Sequence, residues 1–148
     1  MKQRVTISQI EAFLRATDKT FPVSLSQKQD LSEYARKLYE RATLCAISIE
    51  DKVVSLVAGY TDDLTNDWAY IAIVATLPEA RGNGYAKKLI QEFISICEEK
   101  HIMAVHLYAV PDNVPAMNMY YSLGFQDLRI ANEVRKEDAH LIYYLKDY

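Results

Sequence analysis

The stretch Thr76-Leu77-Pro78-Glu79-Ala80-Arg81-Gly82-Asn83-Gly84-Tyr85-Ala86 sets two glycines and an arginine where an apolar run gives way to an amphipathic pattern. Glycine lets a backbone approach a ligand closely and adopt conformations barred to other residues. A helix start offers unpaired N–H groups and a partial positive charge. Arg81 adds a permanent charge and a fork of donors. Together these residue types suit a phosphate or pyrophosphate. A Walker loop is excluded, since no Gly-Lys-Ser/Thr follows at the required spacing. A dinucleotide fingerprint fits poorly as well: Lys87 stands where its third glycine belongs, and the junction comes after a hairpin instead of at the first βα turn. By themselves, the two glycines favour a plain tight turn.

The elements around this loop follow from capping and periodicity. Ser8 with Glu11 predicts a capping box and a helix ending near Asp18, followed by a loop at Phe21–Ser26. Asp30 with Glu33 caps a second helix, on which Leu31, Tyr34, Leu38 and Tyr39 recur at helical spacing to about Ala42. From Leu44 the period changes. Leu44–Ile49 and Val53–Tyr60 predict a hairpin joined at Glu50-Asp51, and Trp68–Thr76 a third strand, apolar enough to be buried on both faces. A helix is predicted over Gly82–Lys100, with Ala86, Leu89, Ile90, Phe93 and Cys97 on one stripe. Met103–Val110 predicts a strand and Val114–Leu123 a helix, with Asn113 as its N-cap and Gly124 closing it. Phe125–Ile130 and His140–Leu145 predict two last strands. The order implies one domain over 1–148, a mixed α/β (α+β) sheet with helices on its faces.

Composition bounds the partners. The chain has 148 residues, a formal charge of −3 and four glycines where average usage would give roughly ten. The charge gives no case for a nucleic-acid partner or a membrane surface. No apolar run is long enough for a transmembrane helix, and no signal-peptide pattern opens the chain. Cys45 and Cys97 lack metal or redox spacing, so buried free thiols in a reducing cytoplasm are expected, with no metal.

Arg81-Gly82-Asn83-Gly84-Tyr85-Ala86 resembles the Arg/Gln-x-x-Gly-x-Gly/Ala signature of the GNAT superfamily of acetyl-CoA-dependent N-acetyltransferases. Upstream the likeness runs through Val74-Ala75-Thr76-Leu77-Pro78-Glu79. Downstream it reaches Asn113-Val114-Pro115-Ala116-Met117-Asn118-Met119-Tyr120-Tyr121-Ser122-Leu123-Gly124-Phe125, which is similar to the family's Asn-x-x-Ala-x-x-Leu-Tyr…Leu-Gly-Phe segment. Two motifs in the family's order cover about Trp68 to Phe125.

The resemblance implies a mostly antiparallel central sheet, helices on both faces and strands splayed at the cofactor site. It implies that Arg81, Gly82, Asn83, Gly84, Tyr85, Ala86 and the amide of Lys87 cradle the pyrophosphate of coenzyme A. Backbone groups of Val74, Ala75 and Thr76 would bond the pantetheine and the thioester carbonyl, with Thr76 replacing the commoner valine. Asn113 would contact the cofactor arm, or serve only as an N-cap. Tyr120 would be the general acid for the leaving thiolate; without the motif it would be read as packing beside Ala116 and Leu123. Tyr121, one step round the helix, reads as structural.

Acyl transfer to an amine also needs the amine neutral and the oxyanion met by a donor. Where some family members carry a glutamate, this chain has Tyr108; Tyr70–Thr76 holds no acid, and His106 shares the strand face of Tyr108. No base is assigned. The missing glutamate argues against protein N-terminal acetylation and for a small-molecule amine, such as an amino sugar or amino acid derivative. The N-terminal helices, Phe21–Ser26 and the tyrosines Tyr34, Tyr39, Tyr70, Tyr108, Tyr143 and Tyr144 are candidates to form its pocket. A non-catalytic acyl-CoA-binding or sensing module is the competing class. The oligomeric state stays open, a homodimer included.

Overall fold

The structure is a computed structural model that describes residues 5–21, 25–27, 29–62, 67–130 and 137–145. Its centre is a six-stranded sheet in the order β1-β2-β3-β4-β6-β5. The strands are β1 (Thr43–Ile49), β2 (Lys52–Tyr60), β3 (Trp68–Thr76), β4 (Ala104–Ala109), β5 (Gln126–Asp127) and β6 (Ala139–Tyr144). All neighbours pair antiparallel except β3 and β4, which run parallel. Glu50 and Asp51 turn β1 into β2 with φ of +50° and +64°. Positive φ at both central residues matches the right-handed twist of the flanking strands.

Four helices cover the two faces: α1 (Ile7–Thr17), α2 (Leu31–Arg41), α3 (Tyr85–Glu99) and α4 (Val114–Leu123). α1 and α2 bury Ile10, Phe13, Leu14 and Leu38 against Leu56, Ala58 and Ile73. α3 and α4 bury Leu89, Phe93, Met117 and Tyr120 against Val57, Ile71, Val105 and Leu107. Alternate residues of β1 (Cys45, then Ala46) and β2 (Val57, between Leu56 and Ala58) therefore supply two separate cores, as period-two strands require.

Several boundaries differ from expectation. The cap of α1 is Thr6, not Ser8: Thr6 Oγ1 accepts from the Gln9 amide at 3.1 Å, and Gln9 Oε1 accepts from the Thr6 amide at 2.9 Å. Asp30 does cap α2, accepting from the Glu33 amide at 3.1 Å. α3 starts at Tyr85, not Gly82, because Gly82 and Gly84 hold φ of +86° and +74° and keep the chain in a loop until its first helical turn. Of the strand predicted at Phe125–Ile130, only Gln126–Asp127 pairs. Residues 22–24, within the predicted loop, lie outside the described residues.

β3 changes the face it buries along its length, with Ala69 and Ile71 in the α3–α4 core and Ile73 in the α1–α2 core. Ala69, Ile71 and Ile73 are buried and the residues between them are half-exposed. Its register explains why. Ala58 pairs with Ile73 and Gly59 with Ile71, so Ala72 is an extra residue, a β-bulge. Bulges bend a strand and increase its local twist. On the other edge, the β3–β4 ladder has three pairs and ends at Tyr70↔His106, just before the bulge. The two parallel strands diverge from there.

Gly59 sits beside that bulge. A Cβ there would lie 2.5 Å from the Tyr70 carbonyl oxygen and 2.6 Å from Cζ of the fully buried Phe93. The glycine lets Phe93 of α3 seat directly on the sheet, a burial worth about 1.5–3 kcal/mol.

Candidate active site

The divergence of β3 from β4 opens a cavity of about 630 Å³. The run Ile71–Thr76 forms one wall, and Leu107, Tyr108 and Ala109 of β4 with the following Val110 form the other. Arg81 and Ala86 stand at the end where α3 begins; Thr20 and Phe21, from the turn after α1, also line it. Asn113, Ala116, Met119 and Tyr120 contribute from α4.

Each residue singled out by sequence can be placed against this cavity. Val74, Ala75, Thr76, Arg81, Ala86, Asn113 and Tyr120 line it, so two segments distant in sequence converge on one space. Gly82, Asn83, Gly84, Tyr85 and Lys87 are not on its wall but continue the same loop and first helical turn. Around ideal Cβ positions at Gly82 and Gly84 nothing lies within 4 Å. Positive φ, not crowding, is therefore what selects glycine there. No side chain caps α3 and its first turn has no acidic residue, so its leading amides keep their positive end undiluted. Asn83 Nδ2 donates to the Ala80 carbonyl at 3.0 Å and Arg81 Nε to the Thr76 carbonyl at 3.3 Å, which braces the loop from within.

Thr76 has its hydroxyl 2.8 Å from that of the buried Ser55. The hydroxyl is thus satisfied within the sheet, and the departure from valine leaves the main chain as the part of Thr76 available to a ligand. Asn113 caps α4, its Oδ1 accepting from the Ala116 amide at 3.3 Å, while the residue also borders the cavity. Both readings of Asn113 therefore have a geometric basis.

Tyr120 is 6% exposed and packs edge-on to Phe125, with ring centroids 5.8 Å apart. Burial pushes its phenol up to about 12. It is thus a protonated donor at neutral pH. Tyr121 points outward, and its hydroxyl donates to Asp127 at 2.7 Å, as a structural residue would.

The proposed acceptor tyrosines divide. Tyr108 lines the cavity and Tyr70 stands behind it at 6.2 Å between ring centroids. Tyr34 is raised well above the usual phenol range, chiefly by burial and then by Tyr60 and Tyr70. Tyr39 and Tyr144 face outward, and Tyr143 packs on Phe125. His140 was not visible as a site candidate from sequence. It meets His106 only through the β4–β6 register, which sets Tyr108 opposite His140.

A sequence model described as the acetyltransferase (GNAT) family matches residues 10–125. The chain belongs to the GNAT acetyltransferase family. Over 55 residues it is 40% identical to mycothiol acetyltransferase of Arthrobacter sp. (strain FB24), which is 37% of this chain and 17% of that protein. The chain thus matches only a small part of this curated relative's length. In three dimensions it is similar to an acetyltransferase of the GNAT family from Staphylococcus aureus Mu50, with a TM-score of 0.77, 15% identity, and 99% and 98% of the two chains covered. It is also similar to the PaiA N-acetyltransferase of Thermoplasma acidophilum in complex with coenzyme A, at a TM-score of 0.70, 13% identity and 96% of each chain. Among the described residues, no helix is long and apolar enough to cross a membrane.

Proposed function

We propose that this GNAT protein is an acetyl-CoA-dependent N-acetyltransferase that moves an acetyl group to the primary amine of a small molecule by direct attack in a ternary complex. The observation that carries it is the cavity between the diverging strands, which joins the Arg81–Gly84 loop to Tyr120 and Tyr108. The loop and the first amides of α3 take the pyrophosphate, and Arg81 supplies a countercharge. The pantetheine arm lies along the edge of β3 that β4 leaves unpaired after Tyr70, where backbone groups of Val74, Ala75 and Thr76 can bond it as a further strand would. Asn113 borders this arm.

The neutral amine attacks the thioester carbonyl carbon; the C–N bond forms, the C–S bond breaks, the nitrogen gives up its extra proton to water, and the thiolate leaves, to be protonated in turn from solvent. With its phenol near 12, Tyr120 is a weaker acid than a thiol of about 8.5, so it serves the thiolate by hydrogen bonding more than by complete proton transfer. That bond strengthens as sulfur gains charge, which is what a transition-state contact must do. A small amine is supported by the cavity's volume and the aromatic wall at Phe21 and Tyr108, and by a relative named for a small molecule, mycothiol.

Release of coenzyme A thiol, followed with glucosamine, alanine amide and tyramine as acceptors, tests the reading. Saturable turnover with at least one amine is expected. Tight coenzyme A binding with no turnover on any amine, and no effect of Tyr120→Phe, would instead identify an acyl-CoA sensor. Turnover confined to peptide N-termini would move the acceptor class to proteins.

A further inference from the structure

A second group of side chains lies beside the cavity, on the sheet face that packs against α2. Tyr108, on the cavity wall, meets the Tyr70 ring edge-on with centroids 6.2 Å apart. Tyr70 of β3 is the cross-strand partner of Tyr60 of β2. On α2, Tyr34, Lys37 and Arg41 follow at spacings of three and four, which sets them on one face of the helix. That face looks onto the strand tyrosines. Burial, then the phenols of Tyr60 and Tyr70, raise the phenol of Tyr34; burial raises that of Tyr60, and Arg41 pulls it back down. Lys37 Nζ stands 5.9 Å from the centroid of the Tyr60 ring. The three tyrosines are half-buried, and both cations are exposed.

Two features of this group call for a ligand. A tyrosine hydroxyl drawn out of water ordinarily finds a hydrogen-bond partner. Among the described residues, the hydroxyls of Tyr34, Tyr60 and Tyr70 have none. No unpartnered side-chain oxygen is sealed from solvent either, so these three can be reached from outside. The second feature is charge. Among the described residues Arg15, Lys52 and Lys100 each hold a carboxylate, whereas Lys37 and Arg41 form no ion pair, although Glu33 and Glu40 are close to them along α2.

We infer that this cleft is the far half of the acceptor site and takes a carboxylate, so that the acceptor is an elongated amine with a carboxylate at the end away from its nitrogen. The inference rests on the acyl-transfer reading of the cavity. The amine stands at the Tyr108 end, and the chain between its two groups lies over Tyr70 and Tyr60. At the far end the carboxylate accepts from phenol hydroxyls and from Lys37 and Arg41. A neutral hydroxyl-bearing group would use the phenols and leave both cations unanswered, and a second ammonium would be repelled by them. Two rings separate Tyr108 from the cations, so an α-amino acid, with one carbon between its charges, is too short to use both ends.

The probes are ε-aminocaproate and its neutral primary amide, which match in length and shape and differ by one charge. The unmodified chain is expected to favour the carboxylate in kcat/KM by about fivefold, a size that exposed cations supply. The preference should fall toward one as salt rises from about 0.01 to about 1 M, because the screening length shrinks from about 30 Å to about 3 Å. Lys37→Gln combined with Arg41→Gln, both at exposed positions, should bring the ratio within twofold. Tyr34→Phe should instead raise KM for both probes about threefold, since an amide oxygen accepts from a phenol as a carboxylate does. Alanine should show no such preference over alanine amide. A ratio near one for the long pair at low salt, or a ratio untouched by the double substitution, would overturn the carboxylate cleft; an equal preference in the alanine pair would overturn the elongated acceptor. Calorimetry with the same long probes on the chain saturated with coenzyme A reads the cleft without turnover. A carboxylate bound about fivefold more tightly, in a chain that acetylates no amine, would count against the acyl-transfer reading alone. Equal affinities, or no binding of either probe, in a chain that acetylates other amines would count against the cleft alone.

Discussion

At one end of the cavity the working surface is backbone. Gly82 and Gly84 hold positive φ in open space, the first turn of α3 is uncapped, and β3 presents a strand edge that its neighbour abandons after Tyr70. At the other end the surface is side chains: Phe21, Tyr108 and the rings behind Tyr108, drawn from α1's exit turn, β3, β4 and β6. On the proposed reading a phosphate and an amide-bearing arm would be recognised by N–H and C=O groups that any residue carries, so the proposed cofactor end tolerates sequence change and demands only conformation. The proposed acceptor end would work by shape and polarity, so each ring matters there. This contrast assigns substitutions to one end or the other.

The largest effect falls on the chemistry between the two ends. Tyr120→Phe should lower kcat about 100-fold, a usual size for a lost proton-handling group, and change coenzyme A affinity less than twofold. Equal turnover would remove Tyr120 from the mechanism. Because Tyr120 stays protonated far above neutrality, it should cause no fall in kcat below about pH 10. Its burial also makes a stability claim. The folded-state phenol is raised from 10.0 to about 12, so its contribution is complete below pH 10 and is lost as pH rises through about 12. Urea unfolding between pH 8 and 11 should show that loss shrink in Tyr120→Phe, and an unchanged alkaline slope would contradict it.

Next comes the junction of the two ends. Gly59→Ala should cost about 2–3 kcal/mol of stability, the range of an overpacked core, because backbone at 2.5 Å cannot give way as a flexible side chain can. A thermal melt within a degree of the unmodified protein would contradict the tight seating of Phe93. The smallest effect is expected at Asn113, where the cap accepts from a single amide. Asn113→Ala should cost about 1 kcal/mol of stability as a lost N-cap. Asn113→Ser keeps a cap and removes the amide group. If coenzyme A affinity falls in the serine variant while stability holds, Asn113 belongs to the cofactor end; unchanged affinity leaves it a cap.

The same contrast explains what could be read from sequence. Asp30, the Glu50-Asp51 turn and Gly124 are local signals, and each stands where its residue type suggests. The glycine loop before α3 is legible for the same reason, since a positive-φ requirement leaves glycines in a short motif. The start of α1 was misread because Thr6-x-x-Gln9 and Ser8-x-x-Glu11 both spell a capping box. Gln9 Nε2 also donates to the Asp51 carbonyl at 3.0 Å, a tertiary tie to the hairpin that no local pattern reveals. The bulge at Ala72 was likewise invisible: an unbroken apolar run looks the same with or without one extra residue, yet that residue reverses which side chains face which core. His106 and His140 are far apart in sequence and ordinary in type, and only strand register makes them a pair. Gly59 carried no role until Phe93 was seen over it.

The central claim, that coenzyme A is held by backbone at the start of α3, is tested most directly by calorimetry with two ligands on two proteins. Coenzyme A and pantetheine, which lacks the pyrophosphate, are titrated into the unmodified chain and into Gly84→Val. Valine at φ +74° is strained by about 1–2 kcal/mol and stands in the open space where the phosphates approach. The account predicts at least a tenfold loss of coenzyme A affinity, about 1.4 kcal/mol, with pantetheine affinity unchanged. Unchanged coenzyme A affinity in a folded Gly84→Val protein would contradict it.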